Sequence, residues 1–218
     1  MQERIQDIDE LRRIADRGPR SLRDESNREA RYKLVHAPHV SGLNMLVEQI
    51  SSHDLPTPWF DPLDGGVTAH MLLLLQSPGA HADSTRGSGF ISSDNDDMSA
   101  ERVWRTIRAS EVDRSNIVIW NIVPWFIGSR KPLAQDRQRG GSFLLRVLEL
   151  LPELSRVVLM GGEAKAAWRQ LEKTTPTMKS YSVTKSRHPR ARLSPKKIES
   201  SIVNAMVEER SSIQRDAY

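Results

Sequence analysis

"HMLLLLQSPGAH", residues 70–81, sets five consecutive apolar residues, Met71 to Leu75, against an abrupt Gln-Ser-Pro-Gly break. A short unbroken apolar run closed by a turn signal reads as a strand buried on both faces, because a half-exposed strand would alternate. Working outward, the same form recurs in "NIVIWN" (116–121), "RVVLM" (156–160) and, less apolar, "SYSVT" (180–184). Helical patterns separate these runs: "SAERVWRTIRAS" (99–110), "SFLLRVLELL" (142–151) with Ser142 as a plausible N-cap, and "EAKAAWRQLEK" (163–173). A last helix opens with Ser194 at the cap and Pro195 at the first helical position. Alternating strands and helices imply right-handed crossovers. The expectation is therefore an α/β single domain with a four-stranded parallel central sheet flanked by helices.

Upstream, residues 2–17 carry apolar side chains at helical spacing and predict an amphipathic helix, and "SGLNMLVEQISS" (41–52) predicts another. Residues 18–31 are polar and arginine-rich and read as a linker. The expected division is a helical extension over 1–55, packed on an α/β domain over 56–218. With 218 residues and no cysteine, disulfides, thiolate nucleophiles and Cys-ligated metal clusters are excluded, and no metal or cofactor is expected. No apolar run reaches membrane-spanning length and the charged N-terminus lacks a signal-peptide core, so a membrane partner is not expected. The expected location is cytoplasmic, nucleoid-associated if the source is bacterial. The net charge of +4 is modest, yet residues 179–197 contain no Asp or Glu among many Lys and Arg. That local excess points to a polyanion.

In an open parallel sheet, sites form beyond the carboxyl ends of the strands. Here those ends lead to Gln76, Ser77, Pro78 and Gly79, to Asn121, to Gly161 and Gly162, and to His188 and Pro189. The ordered set "LLLLQSPGAHADSTRGSGF" (72–90), "IVIWN" (117–121) and "SRHPRARLS" (186–194), preceded by "PWFDPLDGG" (58–66), resembles the motifs of the uracil-DNA glycosylase superfamily. The likeness covers roughly residues 56–206. It is closest to the thermophile-type branches, although the four cysteines that hold their iron–sulfur cluster are missing.

The resemblance implies a DNA repair enzyme that rotates uracil out of DNA and hydrolyses its N-glycosidic bond. Such chemistry leaves negative charge on the departing base and positive charge on the sugar. It further implies that Asn121 reads the base edge, that Phe90 stacks on the base, and that His188 donates to uracil O2, helped by the backbone N–H groups of Gln76 and Ser77. Several branches place a water-activating Asp or Asn where this chain has Ser77. Asp94, in "FISSDNDD" (90–97), is the expected substitute, with Asn95 and Asp96 open. Gly79 stands where the most uracil-selective branch has a tyrosine. Lys185, Arg187, Arg190, Arg192 and Ser194 would meet the DNA backbone, with Arg190, Ala191, Arg192 and Leu193 forming a tip able to enter the duplex and Leu193, or an arginine beside it, able to fill the gap left by the base.

The expected partner is uracil-containing DNA, met by a monomer. The alternative is a catalytically weak or inactive uracil- or DNA-binding protein of the same fold. A more distant reading, a nucleotide-phosphate binder using Gly65 and Gly66 or Gly161 and Gly162, lacks any phosphate-loop or dinucleotide signature. The stretch "FIGSRKPLAQDRQRGG" (126–141) reads as a basic, glycine-ended loop that touches DNA.

Overall fold

The computed structural model describes residues 2–128 and 130–208, with side chains from Ile8 onward. In chain order the helices α1 (Gln2–Ala15), α2 (Glu25–Tyr32) and α3 (Ser41–Ser51) precede three strands, β1 (Trp59–Phe60), β2 (Met71–Leu75) and β3 (Phe90–Ile91). Then α4 (Met98–Ser110), β4 (Ile117–Asn121), α5 (Ala134–Glu149), β5 (Arg156–Met160), α6 (Gly162–Thr174), β6 (Ser182–Ser186) and α7 (Pro195–Val207) alternate. The main sheet is four-stranded and parallel, in the order β4-β2-β5-β6. The short strands β1 and β3 pair separately, also in parallel.

The apolar run of β2 is thus interior on both sides. Met71 pairs with Ile117 on one flank and Arg156 on the other, and Met71 to Leu74 are all buried. Right-handed crossovers in opposite directions set α4 on one face, packed against α7, and α5 and α6 on the other, with α3 against α5. Phe60 stacks on Trp120 at 4.1 Å, tying the short sheet to the core, and α1 and α3 contribute Ile8, Leu43 and Ile50 to that same core. Because all four strands run one way, their carboxyl ends emerge along one edge. Among the described residues no helix is long and apolar enough to cross a membrane.

Two expectations are corrected. Residues 134–141 are helical, not loop: α5 begins at Ala134, where Asp136 accepts from the Leu133 backbone N–H at 2.8 Å. Ser142 lies inside that helix and bonds back to the Gln138 carbonyl. The glycines that read as a loop end are a packing device, since a Cβ on Gly140 would lie 2.0 Å from the Ile122 carbonyl oxygen. The stretch 18–31 is likewise no free linker. It holds a 3-10 turn, Ser21–Arg23, and most of α2, whose Asp24 cap accepts from the Ser26 backbone.

The reason that stretch is ordered is an internal ion cluster. Arg31 is 1% exposed; its guanidinium donates to Asp61, to Asp94 Oδ2 (2.6 Å) and to Ser21 Oγ (2.9 Å). Arg114 donates to Asp64 Oδ1 (2.8 Å), Asp94 Oδ2 (2.7 Å) and Asp61 Oδ2 (3.0 Å). Three carboxyls face two guanidiniums. Burial, only partly opposed by Arg114, pushes Asp64 up to about 7. Burial alone would raise Asp94 too, but Arg114 and Arg31 together hold it below the ordinary carboxylate value.

Candidate active site

A cleft of about 600 Å³ opens where the strands end. Gln76, Ser77, Pro78 and Gly79 from the loop after β2, Asn121 at the end of β4, and His188 and Arg190 after β6 all line it. The first two loops are locked together: the Ile122 N–H donates to the Leu75 carbonyl and the Val123 N–H to the Gln76 carbonyl, each at 2.9 Å. Asn121 is only 3% exposed. Its side-chain amide has no hydrogen-bond partner among the described residues, although strand-end asparagines ordinarily bond nearby backbone. A buried amide left open toward a cleft can pair with a polar ligand.

His188 is held from four directions. The Arg190 backbone N–H donates to its Nδ1 at 3.0 Å, so the ring proton resides on Nε2, which has no protein partner among the described residues. Burial, with Arg190 adding to it, lowers its basicity, so the imidazole is neutral at pH 7. Arg102 on α4 donates to the Pro189 carbonyl, and Ser201 on α7 accepts from the Arg187 N–H at 3.0 Å. Gly161, at φ +98°, lets β5 end against the ring; a Cβ there would sit 2.8 Å from the His188 Cβ. The arrangement offers a neutral N–H donor and an open amide on one strand edge.

The profile of the Uracil DNA glycosylase superfamily matches residues 64–209, more than half of the chain. The chain belongs to that superfamily. No curated protein matches it. Membership supports a glycosylase-like function on DNA in general terms, and the matched span contains every strand of the main sheet and each loop that builds the cleft.

Within this glycosylase fold, two expected site residues are elsewhere. Phe90 is fully buried and packs on Tyr32, with ring centroids 4.8 Å apart, beside Leu22 and Val35. No Phe, Tyr or Trp is among the described residues lining the cleft; Ile91 is the neighbour of Phe90 that does so. Asp94 is 0% exposed and belongs to the ion cluster, so it does not reach the cleft. The chain from Ser93 to Asp97 splits by parity. Ser93, Asn95 and Asp97 line the cleft, while Asp94 and Asp96 turn to arginines.

The two residues held open alongside Asp94 are also occupied. Asn95 accepts from Ser88 Oγ and donates to the Phe90 and Ser92 carbonyls. Asp96 is held at about 2, first by the Arg23 hydrogen bond, with Arg20 adding to it. Asp97 is the carboxylate that lines the cleft. Its Oδ1 caps α4 by accepting from Ser99 N and Ala100 N at 2.7 and 3.1 Å, leaving Oδ2 without a partner among the described residues. The sequence signal that could have found Asp97 is its position as helix N-cap, because the amino end of α4 meets the edge where the strands end.

Lys185, Arg187, Arg192, Leu193 and Ser194 do not line the cleft; all are exposed, Lys185 on β6, Arg187 just after it, and Arg192, Leu193 and Ser194 on the chain leading from the cleft into α7. Ser194 occupies the α7 cap position but makes no side-chain cap bond. Arg130, on the loop after β4, lines the cleft from another side and is paired with Asp136.

Proposed function

We propose that this glycosylase removes uracil from DNA, hydrolysing the bond between the flipped base and its sugar with water and leaving an abasic site. The observation that carries this reading is the buried, unpartnered amide of Asn121 at the cleft. Its Oδ1 would accept from uracil N3–H while Nδ2 donates to O4; cytosine presents the reverse pattern and is refused. The His188 Nε2–H is the donor for the charge that gathers on uracil O2, a task for which a neutral imidazole suffices. Asp97 takes the role expected of Asp94: its free oxygen opposes the positive charge on the sugar and orients the attacking water. No lysine is among the described residues lining the cleft, which supports a hydrolytic, monofunctional reaction over one through an amine adduct. The basic chain from Lys185 to Arg192 holds phosphates, and Leu193, 41% exposed, fills the gap left by the base.

Incubation with a uracil-containing oligonucleotide without added metal should release free uracil and leave a site that only alkali cleaves. Asp97→Asn should slow the single-turnover rate and Asp94→Asn should not. A second reading, uracil or DNA binding without catalysis, is favoured by Ser77, an uncharged side chain where other branches carry an acid or amide. Tight binding to uracil DNA with no alkali-labile sites would decide for it.

A further inference from the structure

Asp97 and His188 come from distant parts of the chain, yet one helix serves both. Asp97 caps α4, and Arg102, five residues on, lies about 7.5 Å further along the helix axis. From there the Arg102 guanidinium crosses to the Pro189 carbonyl, on the residue next to His188. Pro189 is buried, and its carbonyl is the acceptor that a guanidinium, which only donates, can grip. On the far side of that peptide the Arg190 N–H holds Nδ1, and the Ala191 N–H closes the turn on the His188 carbonyl at 2.9 Å. Among the described residues the turn beyond shows no such anchor: Arg192 and Leu193 are exposed, and the Leu193 N–H donates back to the Ala191 carbonyl.

We propose that Arg102 is a positioning residue for His188, fixing the imidazole donor at a set separation from the Asp97 carboxylate through the Pro189 carbonyl. The inference rests on the glycosylase reading for its catalytic consequence. Bond cleavage develops opposite charges at the two ends of one glycosidic bond, so donor and carboxylate must keep their spacing while the exposed tip adapts to DNA. A misplacement of about 1 Å in such a pair costs on the order of a hundredfold in rate. Arg102 touches neither base nor sugar in this scheme; its effect passes through the Pro189 peptide to the ring.

The test pairs Arg102→Met, which keeps the aliphatic stem and loses the donor, with Arg102→Lys, which keeps a donor. Imidazole ¹⁵N spectra of the full chain are recorded beside single-turnover rates and DNA affinity. In the wild type, His188 should show the Nε2–H tautomer alone. In Arg102→Met it should shift toward a mixture, the rate should fall on the order of a hundredfold, and affinity should hold; Arg102→Lys should recover both tautomer and rate. Wild-type spectra and rate in Arg102→Met would overturn the proposal, as would a lost rate with an unchanged imidazole. If Arg102→Met does not fold, Arg102→Lys decides, a tautomer mixture in it overturning the proposal and the wild-type tautomer supporting it. A wild-type protein without glycosylase activity would sink the reading of function, while the tautomer shift would still decide the positioning role.

Discussion

Two arginine-rich regions of this protein put the same side chain to opposite uses. Around Asp94, the buried Arg31 and the partly buried Arg114 sit among three buried aspartates, and each guanidinium is met by carboxylates. Around His188, none of Lys185, Arg187, Arg190 and Arg192 forms an ion pair with any described residue. Desolvated charges must be matched inside the protein, so the first region is closed to ligands and holds α2, β1, β3 and β4 together. Solvated charges without partners remain open to a ligand, so the second suits a polyanion from outside. The segment 93–97 belongs to both, with alternate residues serving the fold and the cleft.

The largest effect should come from breaking the closed region. Arg114→Met leaves the buried Asp64 without its partner and Asp61 and Asp94 to share Arg31, and should lower stability by about 3–5 kcal/mol, read from urea unfolding. A loss below about 1 kcal/mol would mean that the cluster is wetter than its burial indicates. His188→Ala, in the open region, should raise the barrier by about 2–4 kcal/mol, the range for losing one donor to a developing oxyanion. Its unfolding midpoint and DNA affinity should stay at wild type, and a fall in stability matching the fall in rate would erase the contrast between the regions.

A third effect is electrostatic and internal. Asp64 titrates near 7 in the fold against an ordinary value near 3.8, so between about pH 4 and 7 the folded protein holds a proton that the unfolded chain has released. Its contribution is complete below about pH 4 and is lost as pH rises through 7, with a slope of at most about 1.4 kcal/mol per pH unit. Asp64→Asn should flatten that slope. An unaltered pH–stability curve in the variant would place the extra proton on another group. Asp94, whose carboxyl is held low, acts in the opposite sense, and its contribution is lost only as pH falls below the ordinary carboxylate range. The smallest effect belongs to the open loop. Arg190→Ala with Arg192→Ala should leave stability alone and reduce the salt slope of DNA binding by about 0.9 for each phosphate that is no longer neutralised. Equal slopes would make those arginines a solvated face only.

Much of this was legible in the residues. The unbroken apolar runs specified buried parallel strands, because only a strand covered on both faces excludes polar alternation, and the strand ends then named Gln76, Ser77, Asn121 and His188 together. The start of α5 was not legible, since Gly140 and Gly141 read as loop until the close approach of Ile122 to the first and of Leu171 to the second explains them. Nor were the true places of Phe90, Asp94 and Asp97. Consecutive residues in a bent segment can face either way, and sequence carries no parity for a turn. That choice was made by Tyr32, Arg31 and Arg114, remote partners whose burial rewards one facing and forbids the other. The sequence by itself determined the sheet, the residues at its carboxyl edge and its charge. Only the tertiary structure decided which acid meets the cleft, because an ion pair across 63 residues, Arg31 to Asp94, exists only once the chain has closed on itself.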